Sequence, residues 1–85
     1  MEKYMLVITY NRETEVRFFD SEDEAFEELE RDYNSMLSEY DPNFKEEVKK
    51  IPGGDFHFGI DGDVAWITDN VNDNYCDWSI YKITI

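Results

Sequence analysis

The sequence has 85 residues, of which twenty-one are acidic and eight are basic, so its formal net charge is −13 at pH 7. A chain of this length suits one domain with its own core, and fourteen aromatic residues exclude a disordered acidic tail. Such a charge repels nucleic acid and anionic membrane surfaces and speeds encounter with basic partners. We therefore expect a single compact domain, residues 1–85, that binds neither nucleic acid nor membranes directly.

Cysteine content and hydropathy predict a cytoplasmic location. Cys76 is the only cysteine, which excludes an intramolecular disulfide and fits a reducing compartment. The start, MEKYMLVITYN, leads directly into the charged NRETE without the small-residue cleavage site of a signal peptide. No stretch approaches the roughly 20 apolar residues that a membrane-spanning helix needs.

The N-terminal segment predicts a β-hairpin. Residues 3–10, KYMLVITY, alternate in the manner of a strand and consist of strand-forming residue types. Asn11 and Arg12 begin a short polar turn. Residues 14–20, TEVRFFD, then return as a second strand with Val16 and Phe18 on one side.

The next segment predicts a helix of about five turns. Ser21 and Glu24 have the spacing of a capping box, in which the serine oxygen accepts from the backbone amide three residues on. Behind this cap, apolar residues recur at spacings of three and four and form one stripe. The stripe contains Ala25, Phe26, Leu29, Tyr33, Met36, Leu37 and Tyr40.

A second, shorter helix is predicted to begin at Asp41-Pro42, as an N-cap with proline at the first helical position. Phe44, Val48 and Ile51 give it a small apolar edge, and the residues 52–54, Pro-Gly-Gly, end it.

The C-terminal part predicts three strands. Residues 55–60 and 63–68 flank Asp61-Gly62, a strong hairpin-turn signal, and the last strand covers residues 77–85 after a polar loop. The resulting order, ββ-α-(α)-βββ, predicts an α+β fold. We expect an antiparallel sheet of about five strands with one long and one short helix on one face.

Catalytic and metal-binding motifs are poorly represented. A Cys76–His57 pair across neighbouring strands would supply a nucleophile and a base, but a lone strand histidine is more often a surface or packed residue. The absence of a second histidine excludes the usual nitrogen and sulfur metal site. We therefore expect a protein that is not an enzyme and that carries no cofactor.

An irregular calcium site remains an alternative in the loop that contains Asp69, Asp73 and Asp77. The spacing does not match an EF-hand, which needs glycine at its sixth position and glutamate at its twelfth. A solvated loop is the simpler interpretation.

The segment DSEDEAFEELE, residues 20–30, holds seven carboxylates and no base. Acids in a first helical turn are stabilised by the helix dipole, by about 0.3–1 kcal/mol each. One turn later, like-charge pairs four residues apart cost about 0.2–0.5 kcal/mol each. These pairs are Asp23–Glu27, Glu24–Glu28 and Glu28–Asp32, and Glu27–Arg31 is the only favourable pair predicted here. A helix selected for its own stability would carry lysine at several of these positions.

A second acidic stretch, DGDVAWITDNVNDNYCD at 61–77, follows on the predicted sheet. An aromatic-rich, cysteine-poor domain with acids dense on one helix and one loop resembles phage and mobile-element inhibitors, namely anti-CRISPR, anti-restriction and other DNA-mimic proteins. That class has no common motif or fold. The resemblance implies a stoichiometric inhibitor that occupies the nucleic-acid-binding groove of a CRISPR effector or restriction nuclease in a bacterial host cell. The partner-binding residues would be Glu22, Asp23, Glu24, Glu27, Glu28, Asp61, Asp63, Asp69, Asp73 and Asp77.

The alternative hypothesis is an interaction or regulatory module whose acidity serves only solubility. Its contact would be an apolar face or an unprotected sheet edge, for which the final strand, WSIYKITI, is the candidate. Aromatic residues could anchor either kind of partner if they are exposed, although their spacing and strand positions also suit a core. These residues are Tyr33, Trp66, Tyr75 and Trp78.

Overall fold

Five strands and two helices follow one another in the predicted order, and the α+β layout with a five-stranded antiparallel sheet is confirmed. The computed structural model describes residues 2–40 and 43–84, without the side chain of Lys45. The elements are β1 (Glu2–Tyr10), β2 (Glu13–Phe19), α1 (Glu22–Ser38), α2 (Phe44–Val48), β3 (Phe56–Asp61), β4 (Val64–Asp69) and β5 (Asn74–Thr84).

The strands form one sheet in the order β2-β1-β5-β4-β3, and each neighbouring pair is antiparallel. The longest ladder joins β1 to β5 and runs from Glu2 opposite Thr84 to Tyr10 opposite Cys76. The expectation that the last strand is a free edge is therefore wrong. β5 lies at the centre, hydrogen-bonded to β1 and β4, and the edges are β2 and β3.

Helix α1 covers one face of the sheet. The Ser21 hydroxyl accepts a hydrogen bond from the Glu24 amide at 3.2 Å, as the predicted cap requires. Ala25, Leu29 and Tyr33 are buried beneath the helix, and Tyr33 meets Trp78 of β5 edge to face, with ring centroids 5.7 Å apart. Burial of this apolar stripe holds the helix on the sheet, because most helical stability in proteins comes from the packing of an amphipathic face.

The helices cover one face of the sheet and leave the other face exposed. Leu6 and Ile8 of β1 point to the helices and are buried, while Met5 and Val7 point to the other face and are half-buried. We call this second face the open face. Its exposed apolar residues are Val16, Phe18, Val64, Trp66, Tyr75 and Tyr81. Val16 and Phe18 thus lie away from the helices, whereas Glu15, Arg17 and Phe19 of the same strand lie on the helix side.

The β3–β4 turn consists of Gly62 and Asp63, one residue later than the predicted Asp61-Gly62, because Asp61 pairs with Val64. Gly62 has a φ of 61°, a left-handed backbone that costs glycine little. The carbonyl oxygen of Asp63 accepts a hydrogen bond from the Ile80 amide at 2.9 Å. This bond fixes the turn against the central strand.

The second helix is shorter than expected. It covers Phe44–Val48 after an N-cap at Asn43, and Ile51 is exposed beyond its end. The predicted cap at Asp41-Pro42 lies outside the described residues. Phe44 stacks edge to face on Phe56 of β3 with a centroid distance of 5.0 Å, so α2 lies on the same face of the sheet as α1.

Candidate functional site

The N-terminal half of α1 presents a dense row of carboxylates to solvent. Glu22, Asp23 and Glu24 occupy the first turn, and Glu27 and Glu30 follow on the exposed side. Within residues 2–40 and 43–84 none of these five forms a salt bridge. The helix dipole stabilises the first-turn acids, while Glu27 and Glu30 have no comparable local compensation.

Glu28 has an internal role. Its carboxylate accepts from Arg17 of β2 at 2.9 Å, and Arg17 also contacts Asp32 at 3.3 Å, so the guanidinium offsets part of the predicted Glu28–Asp32 repulsion. Partial burial acts to lower the pKa of Arg17. The hydrogen bond to Glu15 and the charges of the neighbouring carboxylates outweigh this effect and raise the pKa. Arg31 pairs with Glu28 at 3.2 Å, which makes the predicted Glu27–Arg31 pair wrong. Glu28 is therefore less available to a partner than its exposed neighbours.

The two acidic segments adjoin at one end of the molecule. Glu22 and Asp23 of α1 line a shallow groove of about 410 Å³ together with Phe26, Gly62 and Asp63. This contact follows from the topology, because α1 begins beside β2 at the same end where the β3–β4 turn bonds to Ile80. Glu22 and Asp23 of the helix thus share one surface with Asp63 of the turn, whereas Asp61 lies on the open face.

The groove continues along α1. Phe26 and Gly62 also line its next section, where Glu30 of the helix faces Ile60 of β3. Phe26 is 36% exposed and Ile60 is 39% exposed, so the floor is partly apolar while the rim is carboxylate. We call this surface the acidic groove and define it by Glu22, Asp23, Phe26, Glu30, Ile60 and Asp63. Lysine and arginine combine an apolar stem with a charged head, which matches such a floor and rim.

Asp69 does not belong to this surface. It is fully buried, and its carboxylate accepts from the amides of Val71 and Asn72 at 3.0 and 3.1 Å and from the Asn72 side chain at 2.9 Å. The prediction that Asp69 meets a partner is therefore wrong. Its carboxylate instead caps the β4–β5 loop and satisfies backbone donors that would otherwise be left without acceptors.

Asp73 and Asp77 lie on other surfaces. Asp73 has a φ of 56° in the β4–β5 turn and borders a cavity with Tyr10 and Arg12, at the far end of α1. Asp77 is exposed on the open face, opposite Trp66 of β4. The calcium alternative is thus contradicted, since Asp69 points into the core and Asp77 to the opposite face. Among the described residues no group of three or more potential ligands converges on a metal site.

Cys76 and His57 are on opposite faces of the sheet and on strands separated by β4. Cys76 is buried beneath the helices, and burial, with smaller effects of Asp77 and Asp32, raises the pKa of its thiol to about 12. His57 is exposed on the edge strand, where its Nε2 lies 3.6 Å from an Asp55 oxygen. The nucleophile and base considered from the sequence are therefore not paired.

The four aromatic residues considered as anchors divide into two pairs. Tyr33 and Trp78 are buried in the core, and burial raises the pKa of Tyr33. Trp66 and Tyr75 are exposed on the open face at 36% and 39%. The hydroxyl of Tyr75 donates to the Asn70 side chain at 2.6 Å, which fixes that ring.

Sequence reasoning missed the extent of the open face. Phe18 and Tyr81 are 60% and 52% exposed there and flank half-buried Met5, which pairs with both across the sheet. The sequence did contain a signal for this face. In β1 and β5 the residues on both sides of the strand include apolar ones, while the sequence predicts only one long amphipathic helix to cover them. One helical layer covers one face of a sheet and leaves the other to solvent or to a partner.

Comparison with protein-family models, curated proteins and solved structures finds no match to this chain. In the part of the chain that the structure describes, no helix has the length and hydrophobicity needed to cross a bilayer. The structure offers two candidate binding surfaces, the acidic groove and the open face.

Proposed function

We propose that this protein is a stoichiometric, non-enzymatic inhibitor that acts as a DNA mimic in the cytoplasm of a bacterial host cell. Its target would be a basic nucleic-acid-binding protein of host defence, such as a CRISPR effector or a restriction nuclease. The inhibitor would occupy the nucleic-acid groove of that target and would have no direct contact with nucleic acid.

The acidic groove is the observation that carries this proposal. Glu22, Asp23 and Glu30 of the helix stand beside Asp63 of the hairpin, and none of them is neutralised by a salt bridge within residues 2–40 and 43–84. A nucleic-acid-binding cleft presents lysines and arginines to phosphates. Their aliphatic stems can pack on Phe26 and Ile60 while the charged groups pair with the rim.

Charge spacing is compatible with competition for such a cleft. Residues four apart on a helix rise about 6 Å, and DNA carries one phosphate per about 3.4 Å of axis on each strand. A looser row of carboxylates can bind the same cations without matching each phosphate. The net charge of −13 would also steer encounter with a positively charged cleft.

The proposed contact set is smaller than the sequence suggested. It keeps the exposed acids of the helix and the hairpin and leaves out those with internal roles or on other surfaces. The retained residues are Glu22, Asp23, Glu24, Glu27 and Asp63, joined by Glu30, while Asp61 lies on the open face opposite Val64.

The test is charge reversal on one surface against equal reversal on another. A variant with Asp23→Lys, Glu27→Lys and Glu30→Lys reverses two acids of the acidic groove and the exposed Glu27 beside Glu30. A control with Glu13→Lys, Glu39→Lys and Glu47→Lys makes the same change in net charge at exposed positions away from the groove. Both variants are titrated into cleavage assays with purified CRISPR effectors and restriction nucleases, after thermal unfolding shows that both are folded.

We expect the native protein to stop cleavage at a molar ratio near equivalence for one of these nucleases. The groove variant should lose inhibition and the control should retain it, with the affinity falling steeply as salt rises. Equal inhibition by the groove variant and the native protein would contradict the DNA-mimic proposal.

A second candidate function is an interaction or regulatory module that binds its partner through an apolar surface. The exposed side chains of Phe18, Tyr81 and Trp66 on the open face favour it, because contiguous exposed apolar patches mark binding sites. Binding through the apolar residues of this face should fall much less steeply with salt than binding through the acidic groove. A pull-down from nuclease-treated bacterial lysate, washed at low and then high salt, separates the two candidates.

A further inference from the structure

Trp66 on the open face packs its indole ring against a glycine. Its indole lies directly over Gly59, the residue opposite it on the edge strand β3. A Cβ atom at Gly59 would stand 2.9 Å from Cη2 and 3.0 Å from Cε2 of the ring. Glycine is therefore what lets the indole lie flat on the strand. Since Trp66 remains 36% exposed, the ring face away from Gly59 is open to solvent.

Two carboxylates stand beside this indole. Asp77 is opposite Trp66 on β5, and Asp61 follows Gly59 by two residues on the same side of β3. Both are exposed and neither forms a salt bridge in the described ranges 2–40 and 43–84. Residues 51–81 contain no lysine or arginine, and Lys82 of β5 lies on the helix side of the sheet, where it pairs with Glu2. We call Gly59, Asp61, Trp66 and Asp77 the Trp66 platform.

We propose that the Trp66 platform is the docking site for an arginine side chain of a basic protein partner. A planar guanidinium stacks on an aromatic face and donates in parallel to a carboxylate, and the platform offers both groups together. The exposed apolar residues Val16, Phe18 and Tyr81 extend the same face towards β2 and would contact the partner around that anchor.

Charge complementarity selects this occupant over the others. A stacked nucleobase would bring phosphates towards Asp61 and Asp77, and a second copy of the chain would bring another net charge of −13. A lysine would satisfy the carboxylates but lacks the planar group that stacks. The inference rests on the second candidate function, and it is independent of the acidic groove.

The probe is a short capped peptide in which arginine alternates with leucine. Matched peptides carry lysine, which keeps the charge, or citrulline, which keeps the planar group without the charge. Each peptide is titrated at physiological salt into the ¹⁵N-labelled protein and followed by NMR. The two indole N–H signals separate the sites, because Trp78 is 1% exposed and Trp66 is not.

We expect the arginine peptide to shift the Trp66 indole and the Asp77 amide while the Trp78 indole stays in place. Arginine should bind about two- to fivefold more tightly than lysine, because only its planar guanidinium can stack on the ring and pair with a carboxylate through two parallel bonds. Citrulline should bind most weakly.

Two variants remove the parts of the platform separately. Gly59→Ala pushes the indole off the strand without changing any charge, and Asp77→Asn removes one carboxylate at nearly constant volume. Each should lower affinity for the arginine peptide, and Gly59→Ala should also abolish the preference over lysine. Trp66→Leu checks the same point if Gly59→Ala disturbs the sheet. The groove variant Asp23→Lys, Glu27→Lys, Glu30→Lys should keep the arginine preference, which separates this inference from the inhibitor proposal.

Several results would overturn the inference. Shifts spread over all exposed acids with no preference for arginine would indicate general charge attraction. A Trp66 indole that responds to a single-stranded DNA oligonucleotide would assign the platform to nucleic acid. A Trp66 indole signal that shifts with protein concentration alone would assign the platform to a contact with a second copy of the chain.

Discussion

Arg17 of β2 and Glu28 of α1 form a hydrogen-bonded ion pair across the boundary between sheet and helix, with Nη1 and Oε1 2.9 Å apart. The same guanidinium holds Asp32 of the helix and Glu15 of its own strand. One strand cation thus pairs with two helix carboxylates that stand four residues apart and reduces the repulsion between them. The helix can carry this many acids partly because the compensating base comes from another element.

Replacement of Arg17 by methionine should lower the free energy of unfolding by about 1 kcal/mol at low salt, since the pair is only partly buried. Methionine keeps the apolar stem and removes the charge. Urea unfolding at low and high salt measures the effect, and the difference should shrink at high salt. Arg31→Met, at a side chain 68% exposed, is the control and should change stability little. An Arg17→Met effect independent of salt would show that packing, not charge, is what Arg17 supplies.

Asp69→Asn should destabilise the protein by about 1–2 kcal/mol, for two reasons. A neutral amide oxygen accepts more weakly than a carboxylate from the amides of Val71 and Asn72, and the new amide nitrogen faces the donor nitrogen of the Asn72 side chain. Chemical unfolding of the variant measures this loss, and hydrogen exchange should show faster opening of the 70–73 turn. Asp77→Asn changes the same charge on the exposed face and should leave unfolding nearly unchanged. Equal stability of the two variants would contradict the capping role of Asp69.

The Cys76 thiol should be unreactive in the folded protein. Burial raises its pKa to about 12, so very little thiolate is present at neutral pH, and the side chain is 3% exposed. An aromatic disulfide reagent at pH 8 should label Cys76 only as fast as the protein unfolds, and at once in denaturant. His57→Gln should not alter that rate. Rapid labelling of the native protein that slows in His57→Gln would instead indicate a coupled pair.

Stability should fall in the alkaline range. Burial, followed by the charge of Asp69, raises the pKa of Tyr40 from 10.0 to about 12, and Cys76 is raised from 9.0 to about 12. Because the folded state binds both protons more tightly than the unfolded chain, the stabilisation is complete below pH 9 and is lost between pH 9 and pH 12. Melting temperatures across that range measure the loss, and Tyr40→Phe should flatten part of it. A melting temperature that is constant to pH 12 would rule this linkage out.

Local signals predicted most of the fold. The Ser21 cap, the apolar stripe of α1 and the glycine at the β3–β4 turn each act within a few residues, so the sequence reveals them directly. The place of β5 could not be seen in this way. Its ladder joins residues as far apart as Glu2 and Thr84, and alternation within a strand does not identify its neighbours.

The candidate site was predicted only in part, because it too combines local features with contacts between distant segments. The exposed helix acids follow from helical periodicity, but the meeting of Asp23 with Asp63 depends on how the hairpin lies against α1. The burial of Asp69 was missed because an aspartate in an Asn-rich loop resembles a solvated residue. Its role depends on the β4–β5 loop folding back over its own strand end, which composition alone does not indicate.

The central ladder between β1 and β5 has a consequence for the order of folding. The hairpin of β1 and β2 and the meander of β3, β4 and β5 can each form from nearby residues, but they join only when Glu2–Tyr10 finds Asn74–Thr84. Closing this long loop costs conformational entropy before any contact between the two strands has formed. The step should therefore be slow compared with helix formation. We expect the ladder to form late, so that stopped-flow refolding detects the helix before the Trp78 environment becomes native. Until then both halves expose unpaired strand edges, and the repulsion of a highly acidic chain would keep such intermediates from aggregating.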